Sequence, residues 1–299
     1  MPKSVLLYIA TALLLVQLFS LSNETVNLSL NIFSFAAILT IGVAHGSIDH
    51  VLFNNKRNIS QSVFILIYLL TLLANVALWL LLPEFALLFF LVFSAYHFGQ
   101  SQFVELKIPR KWLSKILYFS WGAAILSGLI YFNRQEINEL FFDSISSSTT
   151  FQLLLAESGT LLILFSAIFL ITSLVLRKLQ YVSTQNLALE MVQIILILAS
   201  FYLFPVIIGF SLYFIILHSF RVLLQEYDYL KESAKIKSIL QFVKLLLPFT
   251  LLSSVGLGLM VMAVYFFKIQ LNLPVQLLIL TSAITLPHVL VMEYFYSSK

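Results

Sequence analysis

The sequence predicts an all-α fold, a polytopic transmembrane helix bundle of about ten spans. Three observations predict it: 61% of the 299 residues are apolar, only 10% are charged, and the apolar residues form long runs separated by short loops. A soluble domain carries roughly 25% charged residues, so this chain has too few charges to cover a water-facing surface of its size. We expect residues 1–299 to form a single transmembrane helical domain.

Each predicted span is a run of about 20 mainly apolar residues, the length that crosses the hydrocarbon core of a bilayer. The first run follows Lys3 as a signal peptide would, but it lacks a convincing small-residue cleavage site, so we interpret it as a retained helix. The ten predicted spans are 4–21, 30–53, 61–82, 85–105, 112–132, 158–176, 184–203, 206–225, 243–266 and 274–295.

Basic residues lie mostly in alternate loops, and this pattern predicts the orientation. With a cytoplasmic N-terminus, 15 Lys and Arg are cytoplasmic and 2 are not, in line with the positive-inside rule. The C-terminus is then cytoplasmic too. Short basic loops also argue against a nucleic-acid partner, despite the net charge of +4. The cytoplasmic set is Lys3, Lys56, Arg57, Lys107, Arg110, Lys111, Lys115, Arg177, Lys178, Arg221, Lys231, Lys235, Lys237, Lys244 and Lys299, and the other two are Arg134 and Lys268.

All five histidines fall inside predicted spans, where each polar side chain costs a few kcal/mol and therefore needs a reason. Each lies in the later half of a helix that runs towards the cytoplasm, so at a rise of about 1.5 Å per residue they share one slab of the cytoplasmic leaflet. Histidines scattered at random would rarely do so, and the pattern predicts a functional cluster. The histidines are His45, His50, His97, His218 and His288, and the carboxylates predicted in the same slab are Asp49, Glu190 and Glu293.

The chain has no cysteine, which removes thiolate nucleophiles and thiolate metal sites. Any metal must therefore bind His, Asp, Glu or backbone oxygen, and several imidazoles favour iron or copper redox chemistry or zinc hydrolysis. We expect the three carboxylates to orient ligands. On a continuous helix, Asp49 lies one turn after His45 and can accept its second ring N–H. The alternative is a helix broken at Gly46–Ser47, with Asp49 as its cap.

Four short motifs resemble, in order, the bacteriorhodopsin-related-protein-like homologue (Brp/Blh) family of β-carotene 15,15'-dioxygenases. The resemblance covers about residues 30–295. It implies an Fe(2+) enzyme of the cell (inner) membrane that takes β-carotene from the lipid bilayer and splits it with O₂ into two molecules of retinal. It also implies a functional link to a rhodopsin-type retinal protein. The motifs are His45-Gly46-x-x-Asp49, His97-Phe98-Gly99, His218-Ser219-x-Arg221 and Pro287-His288.

One position departs from the family pattern. The metal ligands that the resemblance implies are His45, His97 and His218. The family pattern continues His-Ser-Pro-Arg-His, whereas this chain has Phe220 and Val222 at the corresponding positions. Either three histidines hold the metal beside an open position, or His50 supplies the fourth ligand, or the activity is lost or changed. We favour His50, and His288 is a further candidate.

Other functions fit the pattern less well. Five histidines are too few for a membrane di-iron desaturase, and a zinc hydrolase would need H-E-x-x-H. A transporter or proton relay usually places its site at the midplane between internal repeats, and we find no repeat. A b-type cytochrome needs facing histidine pairs, which the slab allows. A divergent carotenoid or lipid oxygenase of altered substrate is the remaining alternative.

Overall fold

Apolar runs of this length fold as helices because each backbone N–H and C=O must be satisfied within its own segment in lipid. The computed structural model describes residues 2–21, 24–54, 60–145, 148–266 and 273–297, and within these ranges every regular element is helical, which confirms the predicted fold class. The elements are α1 (Lys3–Ser20), α2 (Glu24–Ala37), the π-helix π1 (Ile38–Gly42), α3 (Asp49–Asn54), α4 (Gln61–Leu81), α5 (Pro83–Phe103), α6 (Lys111–Phe132), α7 (Arg134–Ile145), α8 (Thr149–Lys178), α9 (Thr184–Leu203), α10 (Val206–Leu212), the π-helix π2 (Tyr213–Ser219), α11 (Phe220–Glu232), α12 (Ile239–Phe266) and α13 (Leu273–Ser297).

Nine helical segments within the described ranges are long and apolar enough to cross a membrane, which is compatible with a multi-pass membrane protein. All ten predicted spans coincide with helices. The predicted span 85–105 corresponds to α5, which has 21 residues but is not among the nine. Its second half contains Ser94, His97 and Gln100, which lower its hydropathy.

The predicted second span, 30–53, is interrupted. α2 continues into π1, a turn occupies residues 45–48, and α3 begins at Asp49. Asp49 therefore does not lie one turn after His45 on a continuous helix face, and the geometric reason for pairing the two is absent. The turn contains Gly46 and Ser47, the position of the alternative helix break.

Contacts divide the chain into two compact units, which we describe separately. Unit 1 comprises Met1–Ser47 and Leu176–Ser254, and unit 2 comprises Ile48–Val175 and Val255–Lys299. In unit 1, α1 packs against π2, α9 and α10, and π1 packs against π2. The fully buried hydroxyl of Tyr8 on α1 donates to Ser200 Oγ on α9 at 2.8 Å, which fixes the contact between these two helices.

In unit 2, α5 and α6 touch backbone to backbone at two glycines. A Cβ added to Gly99 would lie 1.8 Å from the carbonyl oxygen of Tyr118, and one added to Gly122 would lie 1.8 Å from that of Ala95. Gly99, which is later in α5 than Ala95, meets Tyr118, which is earlier in α6 than Gly122. The two helices are therefore antiparallel. Small residues allow membrane helices this close approach. Because Gly99 is two residues from His97, the contact also fixes where His97 lies.

A buried hydrogen-bond chain joins α4 to α13 in unit 2. Trp79 Nε1–H donates to Ser282 Oγ at 2.9 Å, and the Ser282 hydroxyl donates to Asn75 Oδ1 at 2.9 Å. All three side chains are buried. These hydrogen bonds therefore fix α4 against α13.

Candidate metal centre

In unit 2, two buried histidines meet across helices α5 and α13. The ring centroids of His97 and His288 are 5.0 Å apart and the rings are nearly perpendicular, at 85°. One ring nitrogen of each lies within 4.8 Å of the other. Their exposed fractions are 2% and 3%, so both imidazoles are removed from solvent and lipid.

Asp49 contacts His288 rather than solvent. His288 Nδ1–H donates to Asp49 Oδ1 at 2.9 Å and to Oδ2 at 3.1 Å. The Tyr68 hydroxyl, on α4, donates to the same carboxylate at 3.4 Å. A carboxylate only accepts hydrogen bonds, so in the neutral imidazole of His288 the proton lies on Nδ1 and the lone pair lies on Nε2. This is the arrangement in which a carboxylate orients a metal-binding imidazole.

Glu293 lies on α13, five residues after His288, and reaches both sides of His97 on α5. Its Oε2 accepts a hydrogen bond from the Tyr96 hydroxyl at 3.0 Å. The same oxygen accepts a second, from Gln100 Nε2. These bonds fix the register of α13 against the segment of α5 that carries His97.

Unit 1 contains a second histidine pair. The rings of His45 and His218 have centroids 5.2 Å apart at 89°. Phe214 stacks on His218 at 5.3 Å and 18° and meets the edge of His45 at 5.7 Å. A Cβ on Gly42 would lie 2.6 Å from the Phe214 ring, so the absence of a side chain in π1 lets this ring lie where it orders both imidazoles.

Glu190 takes part in a polar chain within unit 1. Gln193 Nε2–H donates to Glu190 Oε1 at 3.1 Å, and Arg221 Nη2–H donates to Gln193 Oε1 at 3.4 Å. Arg221 lies three residues after His218, so the chain links the predicted carboxylate to the helix that follows the histidine. Arg221 is half-buried, as its contact with Gln193 requires.

The structure thus groups the eight predicted site residues within their units. His45, His218 and Glu190 belong to unit 1, and Asp49, His50, His97, His288 and Glu293 belong to unit 2. His50 follows Asp49 in α3 and is half-buried.

Sequence reasoning missed two polar residues, the half-buried Tyr68 and the buried Glu226. Tyr68 orders Asp49, and the signal that could have found it is a hydroxyl inside an apolar run, where it needs a partner. Glu226 is completely buried on α11. It lies one residue beyond the predicted span 206–225, and α11 continues past that bound to Glu232.

The buried donor set suits a transition metal. It offers imidazole nitrogens without thiolates, and imidazole binds zinc, copper, iron and nickel. Within unit 2 the candidate ligands are His97 and His288. The Asp49 carboxylate accepts a hydrogen bond from His288, and a carboxylate in this position is usual beside a histidine that binds a metal.

The chain is similar in sequence to proteins of one known family. The family model described as BCD, Beta-carotene 15,15'-dioxygenase, matches residues 36–296. A protein of an uncultured marine bacterium (66A03), named Beta-carotene 15,15'-dioxygenase, is 31% identical over 113 residues, and the match covers 36% of this chain and 40% of that protein. The chain thus matches about two fifths of the length of this relative. No solved structure matches.

Proposed function

The chain belongs to the beta-carotene 15,15'-dioxygenase family, and we propose that it cleaves β-carotene at its central 15,15' double bond with O₂ to give two molecules of retinal. One oxygen atom enters each aldehyde, so the reaction needs no further oxidant. The observation that carries the proposal is the family match over residues 36–296, which includes all five histidines.

The proposal includes an iron(II) centre. The ligands that follow from the family motifs are His45, His97 and His218. All three are buried imidazoles, which bind a metal in their neutral form, and the chain has no cysteine; this set of ligands fits iron. When bound, iron supplies the activation of O₂ for attack on an electron-rich double bond. The fourth ligand is either His50, as the sequence predicts, or His288. Asp49, Glu190 and Glu293 orient the ligands and their helices.

The substrate is an all-hydrocarbon rod, and a column of aromatic rings on α5 offers it a matching surface. Phe85, Phe89 and Phe93 precede His97 at successive four-residue steps. Adjacent ring centroids are 6.0 and 4.3 Å apart. The exposed fraction falls from 55% at Phe85 to 2% at His97. The column therefore runs from the lipid-facing surface to a buried ligand over roughly 18 Å, at 1.5 Å per residue.

Unit 1 repeats this arrangement over a shorter distance. Phe210 stacks on Phe214 at 5.2 Å and 15°, and Phe214 stacks on His218 at 5.3 Å and 18°. Each column ends at a histidine that the family motifs assign as a ligand. Aromatic faces bind a polyene through apolar contact and exclude water from the reacting bond.

The cellular setting follows from the substrate. β-Carotene partitions into the lipid bilayer, so we place the enzyme in the cell (inner) membrane. Retinal is a chromophore, and a rhodopsin-type retinal protein is the partner that would consume it.

Expression in cells that accumulate β-carotene tests the function, with retinal measured by chromatography. Bleaching accompanied by retinal, lost in His97→Ala, is the expected result. Ser173→Ala serves as the control, because it also removes a buried polar group, on α8, and should leave retinal formation unchanged. One product longer than retinal together with one shorter product would move the cleaved bond away from the centre. No bleaching despite membrane expression and iron supply would refute the proposal.

A further inference from the structure

We infer that His288 binds the same metal ion as His97, and that Asp49 is the residue that positions it. This inference rests on the proposed iron centre and names a ligand that the family motifs do not assign. It also supplies the nitrogen that Val222 cannot provide at the position where the family pattern has histidine.

The first argument is the distance between the two histidines. One ring nitrogen of His97 lies within 4.8 Å of one ring nitrogen of His288. At metal–imidazole bonds of roughly 2.0–2.1 Å, two nitrogens on one ion lie about 3–4 Å apart. A small rotation of the His97 side chain closes this difference. The perpendicular rings, at 85°, let two lone pairs converge on one point without the rings colliding.

The tautomer of His288 also supports a role as a metal ligand. Because Nδ1 of His288 donates to both oxygens of Asp49, its lone pair is on Nε2, the atom at the far end of the ring. Tyr68 in turn donates to the Asp49 carboxylate, which holds the carboxylate in place. An imidazole used only for packing has no need of two anchors. An imidazole used as a ligand gains basicity and a fixed direction from them.

The third argument is the rigidity of the helices that carry the pair. Glu293 on α13 binds Tyr96 and Gln100, which flank His97 on α5. The two histidines are thus held in one register by polar contacts on neighbouring turns. Metal sites need this order, because the ligands must hold a fixed geometry when the ion arrives.

The test is Co(II) binding to the purified full-length protein in detergent, followed by visible absorption and metal analysis. We expect His288→Ala to lower the affinity at least 10-fold and to change the cobalt spectrum, because one nitrogen ligand is lost. Asp49→Ala should weaken binding 10- to 100-fold. Asp49→Asn should restore part of it, because the amide oxygen still accepts from Nδ1–H. His50→Ala should leave affinity and spectrum unchanged.

Ser282→Ala is the matched control, since it removes two buried hydrogen bonds of the same helix, α13, and neither of them involves a histidine. Its metal affinity should equal that of the wild type, and metal-free thermal unfolding of all variants separates misfolding from ligand loss. Wild-type affinity and spectrum in His288→Ala, with binding lost in His97→Ala, would overturn the inference and leave the iron centre intact. Full binding in His97→Ala would overturn both.

Discussion

Replacing Gly99 by alanine should separate α5 from α6 and displace His97. The added Cβ would lie 1.8 Å from the Tyr118 carbonyl oxygen, whereas ordinary contacts begin at 3.4 Å. The obstructing atom belongs to the backbone, so no side-chain rotation can relieve the clash. The helices must move apart by about 1.6 Å at this point.

The magnitude follows from this displacement. Overpacking of a tight interface costs about 1–3 kcal/mol when the structure can adjust. His97 is two residues from the clash and moves with its helix, and a misplacement of about 1 Å in a reacting group can cost roughly 100-fold in rate. We therefore expect Gly99→Ala to lower the midpoint of thermal unfolding by several degrees and retinal formation about 100-fold.

The assay measures thermal unfolding in detergent and retinal formation at matched expression. Gly258→Ala is the control, because a Cβ there meets nothing within 4 Å and alanine is the better helix former. It should unfold at the wild-type temperature or slightly above it. The reasoning would be refuted by a Gly99→Ala protein with wild-type stability and wild-type retinal formation.

Three further predictions concern stability, pH and the metal. Ser282→Ala leaves Trp79 Nε1–H without its acceptor and should lower the free energy of unfolding by about 1–3 kcal/mol. An unchanged unfolding midpoint would contradict a stabilising role of the hydrogen bonds between α4 and α13. The hydroxyls of Thr150 and Ser148 hold the pKa of the Glu84 carboxyl below its ordinary 4.5. The stabilisation of the folded state by the ionised Glu84 carboxylate is therefore complete above pH 4.5 and is lost as pH falls through the lower folded-state pKa. Glu84→Gln should flatten the acid limb of a curve of unfolding free energy against pH. Chelation of iron should abolish retinal formation, and Fe(2+), unlike Zn(2+), should restore it; activity that survives chelation would exclude the iron centre.

The sequence predicts the helices well because the bilayer imposes one length and one composition on all of them. The ends are less predictable where a helix outgrows the bilayer. α8 begins at Thr149, nine residues before the predicted 158, because Glu157 interrupts the apolar run without interrupting the helix. A window of about 20 residues finds the apolar centre of such a helix and misses its polar extension.

In the candidate site, too, the sequence predicts some features and not others. The histidines were identifiable because a polar residue inside an apolar run is conspicuous. Their partners were not, because Asp49 meets His288 across 239 positions of sequence. The prediction of an Asp49–His45 pair used the nearest neighbour on an ideal helix. Packing of α13 against α3 brings a different imidazole to the carboxylate.

Departures from the ideal helix explain why the directions of the histidines could not be predicted in unit 1. π1 ends at Gly42, three residues before His45, and π2 contains His218. A π-helical turn inserts one residue into the 3.6-residue repeat and so rotates the side chains that follow by about 100°. The turn at 45–48 also means that no unbroken helix relates His45 to His50. π-helical turns are frequent at functional sites, and here the two of them pack against each other beside the His45–His218 pair. The irregular backbone of π1 and π2 therefore sets the directions of both imidazoles in this pair.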